Sequence, residues 1–189
     1  MDALSHLSFY QKGIVDNPIP VTNFVMDFIE AEVPNLWTYY CCGTDTGLSN
    51  RYLSMHSYRN RAIGLQLYRY DMKGFLHWGF NFYNTQYSRE QINPFLITDA
   101  KGAFPSGDAF MVYPGTDGPW DSLRLCVFRD ALQDFRALKL LERYMGREET
   151  VRWMEETLGE AVTFRDYVHG AEKLLSLREA VNQKIKELV

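Results

Sequence analysis

The chain is poor in the features that mark several functional classes. Its three cysteines, Cys41, Cys42 and Cys126, show no C-x-x-C spacing, which argues against both a zinc site and a disulfide framework. Adjacent cysteines in a strand point to opposite faces, and two small buried thiols are expected at 41 and 42. Lysine and arginine form no basic stripe, and the net charge is -4 with a pI near 5.6, so nucleic acid is not an expected partner. No apolar run approaches the ~20 residues that span a bilayer, so no membrane association is expected. The opening "MDALSHLSFYQKG" lacks the basic and hydrophobic segments of a signal peptide, which makes a cytoplasmic protein the expectation. Gly-rich phosphate loops, nucleophile elbows, H-E-x-x-H and paired His and Cys arrangements are all missing, and neither a cofactor nor a metal is expected. Glu148 with Glu149, and Glu155 with Glu156, read as the solvated face of a helix rather than as a catalytic pair.

What remains is rich in aromatic residues. At 189 residues, 46% hydrophobic and 15% aromatic, the chain suits one domain with a proper core and some surplus of stacking surface. Its front half alternates short apolar runs with helix-like segments. "PIPVT" (18–22) is extended, and Thr22 or Asn23 could cap a helix "FVMDFIEAEV" that Pro34 ends. "LWTYYCC" (36–42) is a continuous apolar run of the kind that suits a strand covered on both faces. "SYRNRAIGLQLYRYDMKG" (57–74) has helical spacing, and a further strand follows over 75–83. Residues 1–5 could end another strand. Strand and helix in alternation predict a parallel sheet with crossover helices, hence an α/β fold.

The back half differs. Residues 84–121 read as loop, with only "AFMVY" resembling a strand, and loops longer than about 15 residues are uncommon unless functional. Three helices then close the chain: one from about Ser122 to Gly146, "EETVRWMEETLG", and one from about Thr163, with Thr163 and Asp166 as a capping box. The predicted division is a sheet part over 1–121 and helices over 122–189 packed on the same domain.

The stretch "GFLHWGFNFY" (74–83) carries the strongest hint of chemistry. Glycine inside a strand often marks a bulge, and a bulge at Gly79 would bring Trp78 and Asn81 to one side. An indole offers an apolar face to sugar C–H groups, and a carboxamide both donates to and accepts from hydroxyls or an acetamido group. The competing reading is a packed strand with a satisfied core His77. Trp37, Tyr39 and Tyr40 pose the same choice between stacking surface and core. Asp108 in "PSGDAF" is either a functional loop carboxylate or ordinary Gly-Asp turn chemistry. Asp99, Asp117 and Asp121 share that double reading, with Asp121 also a candidate helix cap.

"WTYYCC", "SNRYLSMHSYRNRAIGLQLYRYDMKGFLHWGFNFY", "FPSGDAFMVYPG" and "DSLRLCVFRDALQDFRALKLLE" together resemble the carboxy-terminal part of the catalytic domain of glycoside hydrolase family 123 and its uncharacterised relatives, over about residues 1–146. The specific element is an ordered series: G-x-L-x-W-G-x-N, then G-D-x-x-x-V-Y-P-G, then S-x-R-L with a later Q-D. The resemblance implies a TIM-type (β/α)8 barrel, of which this chain would hold the last few β/α units followed by carboxy-terminal helices. It implies exo-hydrolysis of N-acetylhexosaminides, N-acetylgalactosamine above all, by a substrate-assisted retaining mechanism in which the acetamido oxygen attacks the anomeric carbon. The family's acidic Asp-Glu doublet has no counterpart, because the chain contains no Asp-Glu dipeptide. No catalytic residue is therefore assigned, and the chain alone is expected to be inactive. Trp78, Asn81 and Tyr83 would stand at the end of the last barrel strand, Tyr39 at the end of the one before, and Asp108 in the loop above, as substrate-binding residues. Cys126 departs from the acidic residue usual there. A glycan-binding or self-assembling module is the alternative. Open sheet edges favour a homo-oligomer, or an amino-terminal half supplied separately.

Overall fold

The structure, a computed structural model, describes residues 1–44 and 46–189. Four short strands, β1 (Asp2–Leu4), β2 (Pro18–Pro20), β3 (Trp37–Tyr40) and β4 (Gly74–His77), run parallel. β1 pairs with β2 and β3 with β4. A single parallel bridge between Val21 and Tyr39 and the bond from Thr22 N–H to the Tyr39 carbonyl (2.9 Å) join the two pairs in the order 1-2-3-4. Helices α1 (Ser8–Gln11), α2 (Val25–Glu30) and α3 (Ser57–Arg69) form the connections, as parallel neighbours require. Mixed strand and helix in this arrangement make the protein α/β. No helix among the described residues is long and apolar enough to cross a membrane.

The sheet is not covered equally on its two faces. Thr38 and Tyr40 are fully buried against the helices, whereas Trp37 and Tyr39 on the opposite face are half-buried and Leu76 is exposed. The continuous apolar run thus does not mean burial on both sides. Trp37 spends its indole covering Gly74, where a Cβ would lie 2.1 Å from the ring. Cys41 and Cys42 fall just past β3; Cys41 is half-buried and Cys42 exposed, not the buried pair expected.

The strand expected over 75–83 ends at His77. Gly79 takes φ +66°, and the chain turns to run antiparallel to residues 108–112. The new pairing uses Phe82 N–H to Ala109 O (3.0 Å), Met111 N–H to Phe80 O (2.7 Å) and an Asn81–Phe110 bridge. The glycine terminates the strand instead of bulging it. A hairpin, β5 (Val112–Pro114) and β6 (Pro119–Asp121), then stands where one strand was anticipated.

Helix α4 (Leu123–Met145) begins as expected. Ser122 caps it, its Oγ accepting from Leu125 N–H at 3.2 Å and donating to Met111 O at 2.5 Å. Gly146 (φ +81°) separates it from α5 (Arg147–Leu158), which closes on Gly159 in the left-handed region. The last helix, α6 (Ala171–Leu188), starts later than the 163–166 pattern suggested. Thr163 Oγ1 does accept from Arg165 N–H and Asp166 N–H, but the turn so formed leads into an irregular segment that buries Phe164, Tyr167 and Val168. Burial of those three side chains outweighs local capping.

Two cores hold these elements. Leu65 and Tyr68 of α3, Leu138 and Leu141 of α4, Met154 of α5 and Leu174, Leu177 and Val181 of α6 form one. Val25, Phe28, Tyr40, Ile63, Leu67, Ala131 and Phe164 form the other, beneath the sheet. Both cores use α3 and α4, which cross so closely at Gly64 that a Cβ there would lie 2.1 Å from the Ala131 carbonyl oxygen. Asp134 of α4 fastens the same region, accepting from Arg61 Nε (2.7 Å) and Nη2 (3.0 Å) on α3 and from Arg178 Nη1 (3.0 Å) on α6.

Candidate functional site at the carboxyl ends of the strands

Trp78 follows directly on β4. Its indole N–H donates to Asp108 Oδ2 at 2.9 Å, and its ring lies among Phe82 (centroids 5.7 Å apart) and Phe104 (5.5 Å). The other carboxylate oxygen, Oδ1, accepts from Arg51 Nη1 at 2.5 Å. Both side chains of this ion pair are 0% exposed. Arg51 also donates to Asn50 Oδ1 (2.9 Å), to the Trp78 carbonyl (2.9 Å) and to the Asp108 carbonyl, and its guanidinium sits 4.7 Å from the centroid of the Tyr40 ring. One guanidinium thus ties together three segments far apart in sequence, and the carboxylate it holds orients the indole.

A second arginine braces the same loop. Arg124, in the first turn of α4, donates to the carbonyls of Arg51 (3.1 Å), Gly107 (2.5 Å) and Phe110 (2.7 Å). Asn60 Nδ2 donates to the Arg124 carbonyl (2.8 Å), and Asn60 Oδ1 accepts from the Tyr40 hydroxyl (3.2 Å). His77 Nε2 lies 3.4 Å from that hydroxyl. Burial drives the His77 pKa down to about 3, with the nearby Arg51 acting in the same direction, so the ring is neutral. Burial pushes the Asp108 carboxyl up, and the Arg51 guanidinium and the Trp78 N–H oppose that shift. Gly79 permits the whole approach, because a Cβ on it would meet the Asp108 carbonyl oxygen at 2.4 Å.

The five residues singled out by sequence are placed as follows. Trp78 and Asp108 touch directly. Asp108 faces protein rather than solvent, with both carboxylate oxygens engaged. Asn81 is exposed and pairs through its backbone with Phe110. Tyr83 is half-buried, donates its hydroxyl to the Val112 carbonyl (2.8 Å) and packs on Phe110 (6.0 Å). Tyr39 stands on the neighbouring strand opposite Leu76, and burial raises its pKa, helped by Cys41. His77 is not the fully satisfied core histidine of the competing reading, since its Nδ1 is buried without a hydrogen-bond partner.

Arg51, Asn50 and Asn60 were not foreseen. Asn50 and Arg51 lie in a polar run "SNR" (49–51) that folds inward and Asn60 lies on α3, while Arg124 sits in the S-x-R-L motif already noted. The motif glycine, tryptophan, aspartate, serine and arginine (Gly79, Trp78, Asp108, Ser122, Arg124) thus form one connected network. Chemically, the network fixes a half-buried indole packed on Phe82 and Phe104, and the exposed carboxamide of Asn81, next to Phe82 in the extended segment, belongs to the face of Phe110 and Tyr83. The network offers no free acid, because its carboxylate is buried and ion-paired.

Fold and site together define the class: an α/β protein whose candidate site lies at the carboxyl ends of parallel strands. Within that class, the chain belongs to the family described as glycoside hydrolase 123, catalytic domain, whose model matches residues 1–141. The match ends within α4, so α5 and α6 lie beyond it. No curated protein matches the chain. Membership makes this a glycoside-hydrolase-like domain, and carbohydrate is the substrate class the family implies.

Proposed function

We propose that the chain forms the last β/α units of a TIM-type barrel, residues 1–121, with residues 122–189 packed on it as helices, and that it supplies one wall of a glycan cleft. The parent activity is exo-hydrolysis of N-acetylhexosaminides by the substrate-assisted retaining route. In this wall Trp78 stacks on the sugar, Asn81 hydrogen-bonds its acetamido group or hydroxyls, and Tyr39 and Tyr83 border it. Asp108 acts from behind by fixing the indole. The parallel 1-2-3-4 order with helical crossovers supports the barrel reading. The observation that carries the wall is the oriented Trp78 at the end of β4, held by a buried carboxylate. Since no Asp-Glu dipeptide occurs in the chain, hydrolysis needs carboxylates from elsewhere.

The test is a titration of the purified chain with N-acetylgalactosamine and with galactose, following the indole N–H resonances. The Trp78 signal should move with the acetamido sugar, hydrolysis of an aryl N-acetylgalactosaminide should be absent, and Trp78→Ala should abolish binding. A Trp78 signal indifferent to both sugars would sink the reading. The open β1 and β4 edges favour a second possibility, a glycan-binding module completed by self-association. Light scattering on a size-exclusion column separates the two, a defined dimer supporting the module.

A further inference from the structure

Beyond Trp78 the loop region carries a second aromatic cluster. Tyr113 and Trp120 are direct cross-strand partners in the β5–β6 hairpin and therefore share a face. Phe95, from another part of the loop, meets both, with centroids 5.1 Å from Tyr113 and 5.9 Å from Trp120. Local contacts shape the cluster. The Trp120 indole rests on Gly115, where a Cβ would lie 2.3 Å from Nε1. The Gly115 N–H to Gly118 O bond (3.0 Å) closes the turn beneath it. Phe95 is set by its N–H bond to Asn93 Oδ1 (3.0 Å). Yet Phe95 is 50% and Trp120 56% exposed. Clustered aromatic rings left this open form an exposed apolar patch, the kind of surface that marks a contact site.

The cluster is linked to Tyr83 of the candidate wall through the interior: Tyr83 packs on the buried Phe110 ring (6.0 Å) and Phe110 on Tyr113 (5.2 Å). The hairpin turn beside it is acidic and hydroxylated, with exposed Thr116 and Asp117. Aromatic rings beside hydrogen-bond acceptors fit the C–H face and hydroxyls of a pyranose.

We propose that Phe95, Tyr113 and Trp120 form a platform for a further pyranose ring of a glycan, beyond the ring placed at Trp78. This rests on the sugar-wall reading above. The test uses the full chain and two probes, free N-acetylgalactosamine and a linear trisaccharide ending in β-linked N-acetylgalactosamine. The trisaccharide should shift the Trp120 and Trp78 indole signals, and the monosaccharide only that of Trp78. Trp120→Ala, a change at an exposed ring, should weaken trisaccharide binding about tenfold, on the scale of one lost stacked ring, and leave monosaccharide binding unchanged. If Trp78 responds to both probes while Trp120 responds to neither and Trp120→Ala binds the trisaccharide normally, the platform is refuted and the wall stands. A Trp120 response without one from Trp78 supports the platform and refutes the wall. Silence at both tryptophans overturns both.

Discussion

Asp108→Asn removes one charge from a pair that water does not reach. Arg51 is 1% exposed and Asp108 0%, so the guanidinium left behind would be a buried, uncompensated cation. Breaking a buried pair from one side costs about 3–5 kcal/mol. One feature of the site places the cost at the lower end of that range. The guanidinium keeps neutral acceptors in Asn50 Oδ1 and in the Trp78 and Asp108 carbonyls. The new amide, however, must turn its N–H groups toward either Arg51 or Trp78, both donors, so one bond is lost whichever way it faces. About 3 kcal/mol is a large share of the roughly 5–15 kcal/mol typical of a domain. At an m-value of roughly 1.5–2 kcal/mol/M it should lower the urea midpoint by about 1.5–2 M. The Trp78 indole signal should move upfield as its acceptor changes from carboxylate to amide. The double variant Arg51→Met/Asp108→Leu should cost less than the sum of its single changes, since it removes both charges. A midpoint shift below about 0.5 M, or strict additivity in the double variant, would refute the claim that this pair braces the site.

Two further outcomes follow from the same geometry. Gly64→Ala places a methyl group 2.1 Å from the Ala131 carbonyl oxygen, so α3 and α4 must separate; despite alanine's better helix propensity, stability in urea should fall by about 2–3 kcal/mol. His77 is neutral in the fold with a pKa near 3, against 6.5 ordinarily, so the unfolded chain binds more protons between those values and stability falls as pH drops through that window. At pH 4.5 the loss attributable to His77 is about 2–3 kcal/mol, and His77→Phe should flatten that part of the acid limb measured by urea unfolding at successive pH values.

The elements legible in the sequence are those whose signals are local. Ser122 and Gly146 bound α4 because a cap and a stop each act within one turn, and α3 shows its period over 13 residues. The end of β4 was not legible. An aromatic run with an internal glycine looks the same whether the glycine bulges a strand or ends it, and what decides is the close approach of residues 108 and 109 to Gly79. Arg51 was hidden for a related reason. A buried arginine is distinguishable from a surface one only by its counter-ion, which lies 57 residues away.

That distance also explains how the site was partly visible. Trp78, Gly79, Asp108, Ser122 and Arg124 look unrelated when taken singly, and each has an ordinary local explanation. In the fold, Trp78 and Gly79 meet Asp108, Arg124 holds the carbonyls on either side of Asp108, and Ser122 holds that of Met111. Replacing any one of them would disturb the placement of the others, so their order along the chain records a three-dimensional constraint. Two residues of the candidate wall, Tyr39 and Asn81, contribute their backbones to strand pairing, and their side chains are not among the hydrogen bonds that lock the loop. On the proposed glycan wall, substitutions at Tyr39 and Asn81 should therefore alter sugar preference without loss of stability, whereas substitutions at Arg51, Asp108 and Arg124 should displace Trp78.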